Sequence, residues 1–140
     1  MSVFQTVRRL ALGGPPRRLA TLEIRRTIAG RPSTYDFLVV IPDKPDARAR
    51  RLEARSRHFE ELKPGIEAGK YKMGGALLRS VPKDDQVSSL DFVSSTLVVS
   101  ATSEEEVLEG LKKDAYNQHD VWDFEKIQIY PFKPGFKMQG

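Results

Sequence analysis

The chain has no cysteine, which excludes disulfides, thiolate metal sites and thiol nucleophiles. Histidine is scarce: His58 and His119 stand far apart, and no cluster of carboxylates supplements them, so the residues offer a metal little to bind. No apolar run approaches the ~18 residues of a membrane span. Gly74-Gly75 is not followed by the Gly-Lys-Ser/Thr of a phosphate loop, and no dinucleotide fingerprint, serine elbow or nucleic-acid module is present. These absences predict no metal, no cofactor, no membrane and no nucleic acid. A small molecule is the expected partner.

Acidic residues are nearly missing from one region. Residues 1–31 hold seven arginines, no lysine and only Glu23 as an acid, a net charge of +6, while the remainder carries −2. The pI near 9.4 therefore belongs to the leader and not to the body of the chain. Val3 to Leu12 can form a basic amphipathic helix, the physical profile of a mitochondrial presequence. A disordered tail on a cytoplasmic protein is the other reading, and nucleic-acid binding through the arginines is a third. The expected organisation is a basic extension over 1–33, an α/β domain over 34–134 and a short tail over 135–140.

The body opens on Phe37-Leu38-Val39-Val40-Ile41, short and β-branched, which predicts a buried strand. Pro42 ends it and Asp43 follows at its C-terminal end. Asp46 is the expected cap of a helix reaching about Lys63. Leu52, Phe59 and Leu62 would form its apolar seam, with Ala49 and Ile66 extending it. Pro64-Gly65 is expected to break that helix. Tyr71 to Leu78 predicts a second strand, in which Gly74 and Gly75 mark a bulge or a close approach. The polar stretch Arg79–Phe92 is long for a hairpin loop, and loops of that length are often functional. Ser95–Ala101 predicts a third strand. Thr102 or Ser103 then caps a helix whose first turn is Glu104-Glu105-Glu106. Asp114 to Trp122 reads as an aromatic linker, and Phe124–Phe132 as an alternating last strand.

The order is βαββαβ, an α+β class and the ferredoxin-like arrangement, with a four-stranded antiparallel sheet carrying both helices on one face. The other face needs cover, which predicts a homodimer.

A carboxylate at a strand end and an imidazole on the next helix can meet across a cleft, making Asp43 and His58 the candidate seat of chemistry. An imidazole accepts and donates protons near neutral pH, and a carboxylate can fix its tautomer. The alternatives are a plain turn aspartate and a surface histidine. Arg51, Arg55 and His58 share a helical stripe. It either orients an anionic carboxylate, phenolate or enolate, or is a solvated basic face answered by Glu53, Glu60 and Glu61. Gly74 and Gly75 can let a substrate approach the backbone. Tyr116 and Trp122 either wall an aromatic pocket or close the core, and His119 is expected to face solvent.

Residues about 34–134 resemble the YCII-related domain family of the dimeric α/β-barrel superfamily. The resemblance rests on Val39-Val40-Ile41-Pro42-Asp43-Lys44-Pro45 and the helix Arg51…Arg55…His58. It continues through Gly74-Gly75-Ala76-Leu77-Leu78, Ser103-Glu104-Glu105-Glu106, Lys113-Asp114-Ala115-Tyr116 and Ile127-Gln128-Ile129-Tyr130-Pro131-Phe132. The loop Val121-Trp122-Asp123-Phe124 resembles the fungal branch. The resemblance implies a dimeric α/β barrel whose cleft is lined by Asp43 and His58. It includes a dehydrochlorinase acting on chlorinated hydroxyhydroquinones, for which that pair is the proposed acid/base machinery. The leader and the longer Arg79–Phe92 loop depart from the small bacterial members, so substrate identity does not carry over.

The reading that follows is a small cofactor-independent enzyme. An Asp–His pair would perform elimination, dehydrochlorination-like chemistry or isomerisation on a small cyclic, phenolic or enolic substrate of secondary or aromatic metabolism. His58 would move the proton, Asp43 would orient it and Arg55 would steady negative charge. The alternative is a non-catalytic small-ligand-binding or accessory protein of the same fold.

Overall fold

A computed structural model describes residues 33–137. The arginine-rich leader up to residue 32, and with it the mitochondrial expectation, lies outside the described residues.

Strand β1 (Tyr35–Pro42) puts Phe37, Val39 and Ile41 on its buried side, the period-2 pattern of a sheet with one covered face. A tight turn follows, closed by the Ala47 N–H donating to the Lys44 carbonyl at 3.2 Å, with Asp46 in the left-handed region at φ 59°. Asp46 is thereby spent on the turn and does not cap the helix. Ala47 occupies that position without a side-chain hydrogen bond.

Helix α1 (Arg48–Glu67) runs through Pro64 instead of stopping there. A proline so near the C-terminal end forfeits only its own N–H, and the Ala68 N–H closes the last turn on the Pro64 carbonyl at 3.0 Å. Gly65 is needed here for contact: a Cβ at that position would come within 2.5 Å of the Tyr71 ring. Gly69, at φ 81°, takes the chain out of the helix.

Strand β2 (Tyr71–Leu78) and strand β3 (Phe92–Ala101) are joined by the long polar loop, which holds a single 3₁₀ turn at Val87–Ser89. Helix α2 (Glu104–Lys112) starts on Ser103, whose Oγ accepts from the Glu106 N–H at 3.1 Å. Glu106 reaches back one residue further than a simple capping box, to the Thr102 amide at 2.9 Å and its hydroxyl at 2.6 Å.

The stretch expected as a linker contains a short helix, α3 (Ala115–Gln118). The last strand, β4 (Gln128–Phe132), is shorter than expected because Phe124–Lys126 forms a 3₁₀ turn.

The four strands form one antiparallel sheet in the order β2-β3-β1-β4, in accord with a ferredoxin-like arrangement. β1 is central: Val39 faces Leu97 of β3 on one side and Ile129 of β4 on the other. The covered face packs Phe37, Val39, Ile41, Leu97 and Val99 against Ala54 of α1, Val107 and Leu111 of α2, and the aromatic pair Tyr116 and Trp122. On the opposite face Leu38 stands between Val98 and Tyr130, and Leu77, Tyr130 and Phe132 remain exposed.

Candidate functional site

The side of α1 that enters the protein carries Arg51, Ala54, His58 and Leu62. This seam is rotated from the one expected through Leu52 and Phe59; Phe59 and Ile66 are about half exposed, at 48% and 50%. Small Ala47 and Ala54, both buried, let the helix come close to the sheet. Two basic side chains can lie inside because each meets a buried hydrogen-bonding partner.

Arg51 is the first. Its Nη1 donates to both oxygens of Asp43, at 2.7 and 2.9 Å, and its Nη2 donates to Ser95 Oγ at 3.0 Å. The Trp122 indole N–H donates to the same Ser95 oxygen at 3.0 Å. The guanidinium also lies over the rings of Phe92 and Tyr116, 4.7 Å from each centroid. Burial pushes the Asp43 carboxyl above its usual range, and the adjacent Arg51 charge opposes that shift. The solvated basic face considered for Arg51 is therefore not found: glutamates do not answer it, and it is buried.

His58 is the second. Its Nδ1 lies 2.7 Å from Asp114 Oδ1, an oxygen that also accepts the Tyr116 N–H at 2.8 Å. Asp114 thus caps α3 and holds the imidazole with one atom. The Tyr116 ring stacks on the imidazole at 3.8 Å and 13°, and Trp122 meets it edge-on at 6.1 Å. A carboxylate at Nδ1 assigns the neutral ring's proton to that nitrogen, leaving the lone pair on Nε2. Nε2 has no hydrogen-bond partner among the described residues, and no buried side-chain nitrogen or oxygen there lacks one. His58 itself lines a cavity.

Asp43 and His58, expected to meet across a cleft, each have another ionic partner: Asp43 pairs with Arg51 and His58 with Asp114. The Asp43 backbone is fixed just after β1, its N–H donating to the Val93 carbonyl at 2.9 Å. It also forms an isolated bridge with Trp122. The sequence placed Asp114 in a linker and in the family-like run Lys113-Asp114-Ala115-Tyr116 without assigning it a partner, although an aspartate two residues before a buried tyrosine amide is an ordinary N-cap.

A cavity of about 440 Å³ lies between α1 and the β2–β3 side of the sheet. Of the sequence-predicted residues, Arg51, Arg55 and His58 line it from the helix, Gly74 and Gly75 from β2, and Tyr116 and Trp122 from beyond α2. Asp43 does not line it. Arg55 rests its guanidinium on the Phe59 ring at 4.8 Å. A Cβ on Gly74 would come 2.9 Å from Leu97 Cδ2, whereas Gly75 faces open space. The bulges of β2 lie at Tyr71/Met73 and Leu77/Leu78 and flank the glycines instead of including them. Tyr116 and Trp122 both wall the cavity and close the core, two roles treated as alternatives from sequence. Burial raises the Tyr116 phenol above its ordinary value.

Leu90 and Phe92, at the end of the long loop, complete one wall. Arg48 fixes them by donating to the carbonyls of Ser88 and Leu90, and Arg79 joins Asp91 across the loop base at 3.0 Å. His119 is half-buried, its Nδ1 donating to the Ala115 carbonyl at 3.0 Å, and does not reach the cavity. Among the described residues no group of three or more histidines, aspartates or glutamates is placed to hold a metal ion. No helix among them is long and apolar enough to cross a membrane.

No protein-family model matches the chain. It is 34% identical over 98 residues to fusaric acid biosynthesis protein 2 of Gibberella fujikuroi, a match covering 70% of this chain and 92% of that protein. It is 36% identical over 99 residues to aspartate kinase FUB3 of Fusarium oxysporum f. sp. lycopersici, where the same share of this chain spans 18% of that protein. Among solved structures, the chain is similar to 5-chloro-2-hydroxyhydroquinone dehydrochlorinase of Burkholderia phenoliruptrix, determined in complex with 2,5-dihydroxybenzoquinone. The TM-score is 0.61 at 23% identity, over 71% of this chain and 95% of that one. This likeness concerns the fold.

Proposed function

The chain belongs to the family of fusaric acid biosynthesis protein 2, and on that premise we propose that it is a small enzyme of fungal secondary metabolism. The family would form a fungal branch of the YCII-related domain proteins. The reaction we propose is cofactor-independent proton transfer on a small cyclic, phenolic or enolic substrate. One observation carries the reading: a buried imidazole, held at Nδ1 by a buried carboxylate, lines an aromatic-walled cavity.

His58 Nε2 would remove a proton from a ring C–H or O–H of the substrate, and Asp114 would stabilise the imidazolium that forms. The electron pair left behind becomes an enolate or phenolate, whose charge Arg55 meets. In an isomerisation the same imidazolium returns the proton to a different atom. In an elimination the electron pair expels a leaving group such as chloride, and the imidazolium then loses its proton to water. Asp43 would act by fixing Arg51, which carries the wall beneath Tyr116.

The cavity is proposed to work in a homodimer, with the exposed apolar side chains Leu77, Tyr130 and Phe132 on the outer sheet face covered by a second copy.

The experiment is proton exchange. The full chain is incubated in D2O with 2,5-dihydroxybenzoquinone and a panel of small phenols, and ring deuteration is followed by NMR; chloride release from 5-chloro-2-hydroxyhydroquinone is measured in parallel. Exchange or chloride release above the buffer rate, lost in His58→Gln, is the expected result. Saturable binding with no exchange and no release would favour the non-catalytic ligand-binding alternative.

A further inference from the structure

Among the described residues, the walls of the cavity carry Arg51, Arg55, Lys72 and the His58 imidazole, and no carboxylate. The acids that answer these groups do not line the cavity. Asp43 is on Arg51, Asp114 on His58, and Asp36 on Lys72 at 2.9 Å. Arg55 is the exception. Among the described residues no carboxylate pairs with it, and the Phe59 ring is its neighbour. A guanidinium in an aromatic cavity with no counter-ion among the described residues is stabilised most by a ligand that brings one.

We propose that the ligand of this cavity is a single-ring planar organic anion that is already charged before any reaction, with Arg55 as the residue that selects for that charge. The assignment rests on the cavity being the substrate site, as proposed above, and goes further by naming the class: an aromatic or quinonoid acid, its carboxylate or acidic phenolate on Arg55. Arg55 and His58 are three residues apart on α1, neighbours on one helical face with Cβ atoms roughly 5–6 Å apart. An anionic oxygen seated on Arg55 therefore sets the adjoining ring beside His58 Nε2. A neutral ring of the same shape fills the same space but leaves the guanidinium partly desolvated and unanswered. A volume of about 440 Å³ is ample for one substituted ring.

Trp122, the sole tryptophan of the chain, lines the cavity and reports its occupancy by fluorescence. The full chain is titrated with benzoate and with benzamide, which share a shape and differ in charge, in wild type, Arg55→Gln and Arg55→Lys. Benzoate is expected to bind about tenfold or more tighter than benzamide in wild type. Arg55→Gln is expected to erase that preference and Arg55→Lys to retain part of it. Equal affinities in wild type, an undiminished preference in Arg55→Gln, or no benzoate binding at all would overturn the assignment. The acid/base reading fails separately. His58→Gln is expected to stop proton exchange while preserving the benzoate preference. A wild type that prefers benzoate yet exchanges no proton keeps the anion site and loses only the chemistry.

Discussion

Asp114 grips His58 through Oδ1, the same oxygen that accepts the Tyr116 amide at the start of α3. The orientation of the imidazole and the start of that helix are therefore one interaction. Since Tyr116 stacks on the imidazole, the ring is held in its plane by one residue and along its edge by another, and both depend on Asp114.

The two aspartates are expected to separate cleanly. Asp114→Asn should shift the His58 ring nitrogen signals in ¹⁵N NMR and slow proton exchange by about a hundredfold or more. Asp43→Asn should leave those signals nearly in place and instead destabilise the protein by about 3 kcal/mol, read from urea unfolding, because it strands a buried arginine. The opposite assignment of effects would restore Asp43 as the partner of His58.

Acid should weaken the start of α2 in a defined window. Hydrogen bonds from the Thr102 hydroxyl and amide, and then from Lys70, hold Glu106 at about 2, below its ordinary 4.5. A carboxyl depressed on folding contributes stability that is fully present above its unfolded value and lost as pH falls through the folded one. Wild type should therefore exceed Glu106→Gln by about 0.5 kcal/mol at neutral pH, a modest figure because the pair is largely exposed. The gap should close as pH falls from 4.5 to about 2 in a series of urea midpoints.

The glycine pair in β2 should respond unequally. Gly74→Ala drives a methyl against Leu97 in the core, which is expected to cost about 1–3 kcal/mol in thermal or urea unfolding. Gly75→Ala meets nothing within 4 Å and should be neutral or slightly stabilising, since the unfolded chain loses freedom. Equal losses at both positions would point to a backbone requirement in place of a steric one.

Tyr130 tests the proposed dimer. It is 51% exposed beside Leu38 on the sheet face turned from the core, so Tyr130→Glu would bury a charge in any interface formed there. Light scattering should report a dimer for wild type and a monomer, still folded by circular dichroism, for the variant. A monomeric wild type would remove the dimer from the proposal.

Much of the architecture could be read in advance because the strands of the body are short apolar runs with clear punctuation, and Ser103 before three glutamates is a strong helix start. The helical stripe could be read too: Arg51, Arg55 and His58 do line one cavity, though Asp43 does not. What could not be read was which acid meets which base. Asp43 is close to the helix in sequence, and that proximity favoured pairing it with the imidazole, but the turn at Asp46 directs it to Arg51, eight residues away. Asp114 sits 56 residues from His58, a separation at which no local pattern speaks. The hydrophobic seam was misplaced for a related reason. A rule that keeps charge outside fails when buried carboxylates wait inside to neutralise it.

That difference in separation bears on how the molecule is assembled. The Arg51–Asp43 pair closes a short loop and can form as soon as β1 and α1 meet, but His58 acquires its partner only after β2, β3 and α2 have been added between them. Closing the longer loop costs more chain entropy, and contacts so distant in sequence are late rewards in folding. A nascent or truncated chain ending before Asp114 would hold α1 with half of its inward polar face unanswered, and so should keep the arginine pair while leaving the imidazole unheld.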